Sequence, residues 1–439
     1  MSAEFTRTVT VRPATALEGV VRVPGDTSIS HRYAMLAALA EGVTRISRFA
    51  PAHDCQSTLR CLEQLGTVVS RHASFDRESG AEVPTVQIVG RGLRGLQSPS
   101  GDLDCGNSGS TLRMLAGILA AHPFTSVLTG DASLRRRPMM PVVTPLQQMG
   151  AEVTSFNGRP PVSVTGGRLA PITYRPDTAS AQVKTAVLLA GLQTPGTTTV
   201  EEPARTRDHT ERALRAFGAT LDVRGNAIAI SGEQALEGRA LAVPGDPSSA
   251  AFWACAAAAL PGSFVELRDV GLNPSRTAVF DVLRRVGADV DVQVDRTDAE
   301  EPVGRVRVRH RGLRGIELTA ADVPGLIDEL PVLAALATHG GELRVTGAGE
   351  LRARESDRIT ALVNGLRALG ADADELPDGF HVRGSRRLLG GQVDADDHRL
   401  AMAFAVAGLG AMEPTIIRGA DAVTVSYPGF FDVLAALRR

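Results

Sequence analysis

The residues best suited to chemistry begin at a Pro-Gly-Asp turn at residues 24–26, which Thr27 and Ser28 follow directly and Arg32 follows one helical turn later. Alternating valines precede the turn, and residues 33–40 continue it as an apolar helical pattern. Side-chain oxygens at a helix start cap backbone N–H groups, and those N–H groups, like an arginine, attract anions. The segment indicates an anion site at a helix start, although by itself it is more typical of an ordinary turn and N-cap.

A second Pro-Gly-Asp turn, at residues 244–246, favours a functional interpretation of the first. It again follows a strand-like run and again precedes an apolar helical pattern, residues 250–259. The same form, an aspartate and small polar residues before an apolar helix, recurs at intervals of roughly 70 to 80 residues. These segments begin near Asp26, Asp104, Asp177, Asp246, Asp322 and Asp396.

Another marker recurs with the same period, namely an amphipathic helix that ends in a glycine and is followed by a strand. It ends at Gly66, Gly150, Gly218, Gly287 and Gly370, and a last helical pattern covers residues 430–437. Short alternating runs predict strands at residues 125–128, 172–174, 306–308 and 343–346. Each repeat therefore reads as β-α-β-α-β-β, and the fold class is α/β (α+β).

Six repeats in 439 residues predict two similar domains of three repeats each. We expect residues 25–245 in one domain and residues 1–24 plus 246–439 in the other, with the chain crossing at the two Pro-Gly-Asp turns. Ligands prefer interdomain clefts, and helix N-termini directed into such a cleft would attract anions there. The alternative is that the repeats are purely structural, as in a solenoid.

Composition excludes several classes of function. A net charge of −2 argues against a nucleic-acid-binding surface. The sequence has neither the run of roughly 18 apolar residues that a membrane span needs nor the pattern of a signal peptide, so we expect a cytoplasmic protein that does not bind membranes. The four cysteines lack metal-ligand spacing, which predicts free thiols and no structural metal.

Taken together, the motifs resemble those of the 5-enolpyruvylshikimate-3-phosphate (EPSP) synthase family over essentially the whole chain. The resemblance is carried, in order, by PGDTSISHR, DCGNSGSTLR, GDASLRRRPM, SAQVKTAVLLAGL, EPARTRDHTERAL, IDELPVLA, RESDRI and DHRLAM. It implies an enolpyruvyl transferase-like fold of two domains that close on small anionic substrates. It also implies transfer of the carboxyvinyl group of phosphoenolpyruvate to the 5-hydroxyl of shikimate 3-phosphate, through a tetrahedral intermediate and with release of phosphate. No cofactor or metal is implied, and we expect a monomer.

The resemblance also assigns substrate contacts. Those to shikimate 3-phosphate fall on Thr27, Ser28, Arg32, Ser180, Gln182, Arg207, Asp328 and Arg354. Those to phosphoenolpyruvate fall on Asn107, Gly109, Arg137, Arg358 and Arg399. Planar guanidinium groups match carboxylates and phosphates, and glycine lets an anion approach the helix-start amides.

Asp328 and Glu355 resemble the acid–base pair of the family. Forming the enol ether requires removing a hydroxyl proton, protonating a methylene carbon and later deprotonating it, which suits two carboxylates. Either carboxylate alone is equally a salt-bridge partner for a neighbouring arginine.

Three positions depart from the family pattern. Thr27 stands where the family has a lysine that contacts both substrates, Arg354 replaces the lysine of its KESDR motif, and Val425 replaces a lysine present in some members. Lys184 is the only lysine of the chain, so Arg354 fits a general replacement of lysine by arginine, whereas Thr27 loses the cation altogether. Loss of one charge-assisted contact costs roughly 1.5 to 3 kcal/mol.

These departures leave alternatives open. One is a carbon–oxygen lyase that eliminates phosphate or water from a substrate of the shikimate 3-phosphate type in a specialised pathway. A UDP-sugar enolpyruvyl transferase is disfavoured because residues 131–141 contain no cysteine. A non-catalytic sensor of shikimate-type anions is disfavoured because both Asp328 and Glu355 are present.

Overall fold

The computed structural model describes residues 6–75, 82–354, 356–395 and 397–439. These residues divide into two compact units. Unit 1 comprises Gly25–Val243 together with Asp298–Glu301, and unit 2 comprises residues 6–24, Pro244–Thr297 and Pro302–Arg439. No helix in the described ranges is both long enough and apolar enough to cross a membrane.

The helices fall into two kinds that alternate along the chain. Helices α1, α3, α5, α7, α10 and α12 are apolar and largely buried, whereas most of the others bury one face. In chain order the helices are α1 (Thr27–Leu39), α2 (His53–Gln64), α3 (Gly109–Leu119), α4 (Met140–Gln148), α5 (Ala181–Leu192), α6 (His209–Ala216), α7 (Pro247–Ala259), α8 (Ala278–Arg285), α9 (Val323–Leu326), α10 (Leu330–Ala337), α11 (Arg358–Ala368), α12 (His398–Gly408) and α13 (Phe430–Leu437). Short 3-10 helices cover Leu134–Arg136, Gly349–Ala353 and Ala420–Val425.

The strands are short and lie between the helices. In chain order they are β1 (Thr8–Val11), β2 (Glu18–Arg22), β3 (Val43–Ser47), β4 (Val68–Phe75), β5 (Glu82–Val89), β6 (Leu103–Asp104), β7 (Thr125–Thr129), β8 (Glu152–Phe156), β9 (Arg159–Thr165), β10 (Thr173–Tyr174), β11 (Thr197–Glu201), β12 (Leu221–Arg224), β13 (Ala227–Ser231), β14 (Ala240–Ala242), β15 (Phe264–Gly271), β16 (Asp289–Asp298), β17 (Glu301–Arg309), β18 (Ile316–Leu318), β19 (Glu342–Val345), β20 (Asp372–Leu376), β21 (Gly379–Arg383), β22 (Gly391–Asp394) and β23 (Thr415–Arg418).

Each unit contains three small mixed sheets around its buried helices. The strand orders are β14-β3-β5-β4, β6-β7-β9-β8 and β10-β11-β13-β12 in unit 1, and β16-β17-β15-β2, β18-β19-β21-β20 and β1-β23-β22 in unit 2. Every sheet includes one parallel pair. Strand β2 precedes α1 in the chain but pairs with β15 of unit 2, and β14 precedes α7 but pairs with β3 of unit 1. Each strand that precedes a Pro-Gly-Asp turn therefore pairs in the sheet of the other repeat and not in the sheet of the repeat that follows it in the chain.

The two Pro-Gly-Asp turns have nearly the same local geometry. Asp26 and Asp246 are the N-caps of α1 and α7, with φ/ψ of −60/121° and −66/118°. The side chain of Asp26 accepts from Ile29 N, and that of Asp246 from Ser248 N and Ser249 N. A Cβ on Gly25 would lie 2.0 Å from the carbonyl oxygen of Arg48, so this backbone approach requires glycine.

The buried helices explain why the repeats fold as they do. In α7 every residue is buried, and most of its residues are alanines that let neighbouring helices approach closely. The helix predicted over residues 430–437 matches α13, and the helices after the two Pro-Gly-Asp turns begin at Thr27 and Pro247, directly after the aspartates predicted to lie at a helix start. Asp396, where the sixth repeated segment was predicted to begin, lies outside the described residues, and the N-cap of α12 is Asp397.

Two short segments group differently from the predicted domain boundaries. Pro244 and Gly245 group with unit 2, in which Gly245 N donates to the carbonyl oxygen of Asp269 at 2.7 Å. Residues 298–301 group with unit 1, in which Nδ1 of His209 lies 2.7 Å from Oε1 of Glu301.

Candidate active site

Arg32 of unit 1 is a buried guanidinium held by two threonines. Its side chain projects from α1, and the residue is only 5% exposed. Nε donates to Oγ1 of Thr210 at 2.8 Å, and one terminal nitrogen donates to Oγ1 of Thr185 at 3.0 Å. The other donates to the carbonyl oxygen of Ser28 at 2.8 Å. The starts of α5 and α6 thus fix the position of this cation, a relationship that adjacent sequence cannot reveal.

Thr27 and Ser28 occupy the first two positions of α1, and both are partly exposed. The cap of this helix is the carboxylate of Asp26, which accepts from Ile29 N at 3.0 Å. A cap carboxylate accepts a hydrogen bond from an N–H group at the helix start and brings a negative charge to it. It therefore reduces the attraction of this helix end for another anion.

The start of α3 gathers an asparagine, a glycine and an arginine that the sequence predicted as phosphoenolpyruvate contacts. Nδ2 of Asn107 donates to Oδ2 of Asp131 at 2.6 Å, and its Oδ1 accepts from Arg137 at 2.8 Å. A Cβ on Gly109 would lie 3.0 Å from a nitrogen of Arg137 and 3.1 Å from one of Arg113. Gly109 therefore leaves room for two guanidinium groups beside the first turn of α3.

Gln182, at the start of α5, is held by residues of α3. Its Oε1 accepts from Arg113 at 2.6 Å, and its Nε2 donates to Oγ of Ser110 at 2.8 Å. Sequence reasoning missed Arg113 as a site residue. The signal was present, because Arg113 lies four residues after Gly109 and therefore on the same helix face.

Neutral serines cap the two helices that carry these groups. Ser108 accepts from Thr111 N at 3.1 Å at the start of α3, and Ser180 accepts from Val183 N at 3.4 Å at the start of α5. With no cap carboxylate, the positive ends of these two helix dipoles are not neutralised by their own caps. These two helix starts suit an anionic ligand better than the start of α1 does.

Arg207 is the remaining substrate contact predicted in unit 1. It lies two residues before α6 and is partly buried. The geometry brings Arg32, Thr185 and Thr210 together and, separately, Asn107, Gly109, Arg113, Arg137 and Gln182.

In unit 2, Asp328 lies beside two arginines. Its Oδ1 is 3.5 Å from a terminal nitrogen of Arg399 and 3.9 Å from one of Arg358. Arg399 also donates to the carbonyl oxygen of Asp328 at 3.2 Å. Arg358 is only 1% exposed and donates from Nε to Oδ2 of Asp397, the N-cap of α12, at 2.7 Å. The structure thus groups three of the predicted residues and adds Asp397 to them.

Arg354 has a different partner. It ends the 3-10 helix Gly349–Ala353 and forms an ion pair with Glu350, four residues earlier. Glu355, the second predicted acid–base residue, lies outside the described residues. At the third departure from the family pattern, Val425 ends another 3-10 helix just before Tyr427, whose hydroxyl accepts from Nε1 of Trp253 at 3.1 Å.

The N-cap of α11 is an ionised carboxylate next to this region. Burial alone raises the pKa of Asp357, but hydrogen bonds from Thr360 N at 3.1 Å and from Arg352 at 2.9 Å outweigh it and hold the pKa below its ordinary value. Asp357 is therefore a fixed negative cap directly before Arg358.

A second buried group in unit 2 was not predicted. Arg276 donates to Oδ1 of Asp246 at 3.0 Å and to Oγ of Ser248 at 2.9 Å, and Ser248 Oγ also donates to the carboxylate of Glu329. Arg276 is 3% exposed. Carboxylates thus already occupy the start of α7, so this helix is a poorer anion site than α3 or α5.

Comparison with known proteins identifies relatives along the whole chain. Residues 11–434 match a family model described as EPSP synthase (3-phosphoshikimate 1-carboxyvinyltransferase). The chain is 48% identical to the 3-phosphoshikimate 1-carboxyvinyltransferase of Desulforudis audaxviator, over 98% of this chain and 99% of that protein. It is 50% identical to that of Pelotomaculum thermopropionicum, over 95% and 96% of the two chains. EPSP synthase from Acinetobacter baumannii superposes with a TM-score of 0.85 at 40% identity, over 99% of this chain and 98% of the other.

Proposed function

Because this chain belongs to the EPSP synthase family, we propose that it transfers the carboxyvinyl group of phosphoenolpyruvate to the 5-hydroxyl of shikimate 3-phosphate and releases phosphate. The structural observation that carries the proposal is the Asp328 carboxylate beside Arg358 and Arg399. A carboxylate held next to two cations can exchange a proton while the arginines bind an anionic substrate.

The proposed reaction has two steps. First, the 5-hydroxyl oxygen bonds to C2 of phosphoenolpyruvate, the hydroxyl proton goes to a base, and C3 gains a proton. Second, the C2–O bond to phosphate breaks and C3 loses a proton, which gives the enol ether and inorganic phosphate. We assign these proton transfers to Asp328 and Glu355, since general acid–base groups typically contribute about 10²- to 10⁴-fold to rate.

Substrate binding is assigned by unit. In unit 1, Arg32, Ser28, Ser180, Gln182 and Arg207 would contact shikimate 3-phosphate, and Asn107, Gly109 and Arg137 would contact phosphoenolpyruvate. The uncharged caps of α3 and α5 support this assignment, because phosphate groups bind well at helix starts whose own caps carry no negative charge. In unit 2, Arg358 and Arg399 would contact phosphoenolpyruvate.

Thr27 and Arg354 are the two assigned contacts at which this chain departs from the family pattern. Arg354 is paired with Glu350, so binding shikimate 3-phosphate would require it to exchange that partner. The relatives described above carry the transferase name, which supports transfer over the lyase alternative.

We further propose that the enzyme acts as a cytoplasmic monomer, which light scattering after size exclusion and cell fractionation would test.

Product analysis tests the function. The protein is incubated with shikimate 3-phosphate, with and without phosphoenolpyruvate, and the products are identified by mass spectrometry and phosphate assay. The proposal expects one carboxyvinyl adduct per phosphate released, and only when both substrates are present. Phosphate released from shikimate 3-phosphate alone would instead support the lyase, and no turnover of either substrate would contradict both.

A further inference from the structure

Three potential metal ligands meet in unit 1 outside the residues assigned to substrate. They are His31 of α1 and Asp54 and Cys55 of α2, and one ligand atom from each lies within 4.8 Å of the other two. Nε2 of His31 is 3.2 Å from Oδ2 of Asp54 and 3.7 Å from Sγ of Cys55. His31 and Cys55 are buried, and the side chain of Asp54 is 20% exposed.

The two separations from Nε2 of His31 match tetrahedral coordination of one ion. Zn–N and Zn–O bonds of about 2.0–2.1 Å and Zn–S bonds of about 2.3 Å place tetrahedral ligands roughly 3.3–3.4 Å (N to O) and roughly 3.5 Å (N to S) apart. The observed 3.2 and 3.7 Å differ from these values by only a few tenths of an ångström, and the ligand atoms of Asp54 and Cys55 lie within 4.8 Å of each other. Side-chain shifts that bring those two atoms closer would complete the geometry.

The other ring nitrogen of His31 has a hydroxyl oxygen beside it that can accept its proton. Nδ1 lies 2.7 Å from Oγ1 of Thr58, and Thr58 in turn lies 2.7 Å from Oγ1 of Thr111. A hydrogen bond from Nδ1–H to Thr58 would leave the Nε2 lone pair directed at Asp54 and Cys55. Such outer hydrogen bonds orient metal-ligating histidines in known sites.

We propose that His31, Asp54 and Cys55 bind Zn²⁺, or a divalent cation of similar preference, with the fourth coordination position open to water or an anion. The ligand set is imidazole, carboxylate and thiolate, which suits zinc among the common biological cations. Its two negative charges balance the ion, so the buried site carries no net charge. Binding releases the thiol proton of Cys55, and the ion enters on the partly exposed side of Asp54.

The proposal differs from the sequence-based prediction of no metal, and the reason is positional. Cys55 has no second cysteine at metal-ligand spacing, and the histidine comes from the preceding helix. Only the packing of α1 against α2 brings His31 to the adjacent aspartate and cysteine. In the absence of an ion, the thiol donates to the carbonyl oxygen of Thr27 at 3.6 Å.

Titration of the chelator-treated, full-length protein with Co²⁺ tests the site. Co²⁺ replaces Zn²⁺ in tetrahedral sites and gives a thiolate charge-transfer band and intense visible bands. We expect these bands to saturate at one ion per chain and to disappear when Zn²⁺ is added. Cys55→Ser should abolish the charge-transfer band, and Asp54→Asn should weaken Co²⁺ binding by about ten-fold or more.

Two further variants make the experiment specific. Thr58→Val removes the hydrogen bond to Nδ1, together with the bond between Thr58 and Thr111, and should weaken Co²⁺ binding by about ten- to hundred-fold. Cys61→Ser, also on α2 and also buried, is the matched control and should bind Co²⁺ like the unmodified protein. Absence of the bands in the unmodified protein, or their retention in a folded Cys55→Ser variant, would overturn the proposal. Circular dichroism establishes that each variant is folded, and Asp54→Asn tests the site if Cys55→Ser does not fold.

Discussion

The ammonium group of Lys184 lies 2.8 Å from Oε1 of Glu211, and both side chains are buried. Nζ also donates to Oε2 of Glu202, equally buried, at 3.0 Å. Two carboxylates thus share one cation inside unit 1. These two carboxylates hold the ammonium group of Lys184, the only lysine of the chain, inside unit 1.

Lys184→Met is expected to destabilise the protein strongly. It leaves two buried carboxylates without their cation, and breaking a buried ion pair costs about 3–5 kcal/mol. Urea denaturation would measure the loss in free energy of unfolding. The control is the triple variant Lys184→Met, Glu202→Gln, Glu211→Gln, which removes all three charges and should recover most of the stability. Equal stability of the single variant and the unmodified protein would refute the structural role.

Stability should fall below neutral pH partly because of His339. Burial, with a smaller contribution from the positive charges of His310 and Arg387, lowers the pKa of this imidazole to about 4. The hydrogen bond of Nε2 to the carbonyl oxygen of Val406, at 3.1 Å, acts in the opposite direction and raises the pKa. In the unfolded chain the pKa is about 6.5. Between these values the unfolded state binds more protons, so this contribution to stability is present above about pH 6.5 and is lost as the pH falls toward 4.

His339→Gln removes the titrating group but keeps a donor for Val406. The free energy of unfolding of the unmodified protein should therefore fall more steeply than that of the variant, by up to about 1 kcal/mol per pH unit between pH 6.5 and 4. Denaturation curves at a series of pH values make the comparison. Parallel pH profiles for the two proteins would show that His339 titrates normally.

Asp328→Asn should lower kcat while having a smaller effect on KM. The amide keeps the shape of the carboxylate but cannot accept a proton from the substrate, so kcat should drop by about 10²- to 10⁴-fold. Arg358 keeps its bond to Asp397, which limits the structural disturbance. Steady-state kinetics with both substrates measure the effect. Asp374→Asn on the surface of the same unit is the matched control, and an unchanged kcat in Asp328→Asn would remove this residue from the mechanism.

The repeated architecture could be read from the sequence because its signals are local. A polar helix start, an apolar helix and a glycine stop recur along the chain, and each is decided by residues within one or two turns of one another. The helix start at Asp246 and the final helix Phe430–Leu437 are examples. The pairing of β2 in unit 2 and of β14 in unit 1 is not a local feature, because it depends on which sheet has an unpaired edge.

The site could be predicted only in part for the same reason. Motifs named Arg358, Arg399 and Asp328, which the structure groups. They could not indicate that Arg113 holds Gln182, or that Arg354 pairs with Glu350. The packing of the helices and the short loops decide which side chains meet. From the sequence alone, an arginine could pair with any of many carboxylates, because all of them offer the same chemistry.

Thr27 is the position where the sequence departs most from the family, and its setting allows a direct test. It is the first residue of α1 and is partly exposed, so a longer side chain can extend to solvent or to a ligand. A lysine there would lie next to the carboxylate of Asp26, which offsets the repulsion between a cation and the positive end of the helix dipole.

Thr27→Lys should increase phosphoenolpyruvate-dependent kcat/KM by about ten-fold or more, because it returns one charge-assisted contact to two anionic substrates. Thr27→Gln, nearly as long but uncharged, is the matched control and should leave kcat/KM near that of the unmodified protein. Steady-state assays of phosphate release at varied phosphoenolpyruvate make the comparison. If the protein is a lyase, Thr27→Lys leaves phosphoenolpyruvate unused. If the unmodified protein already consumes phosphoenolpyruvate at about 1 to 10³ s⁻¹ and the lysine brings no gain, the helix-start amides and the arginines neutralise the substrates without a cation at residue 27.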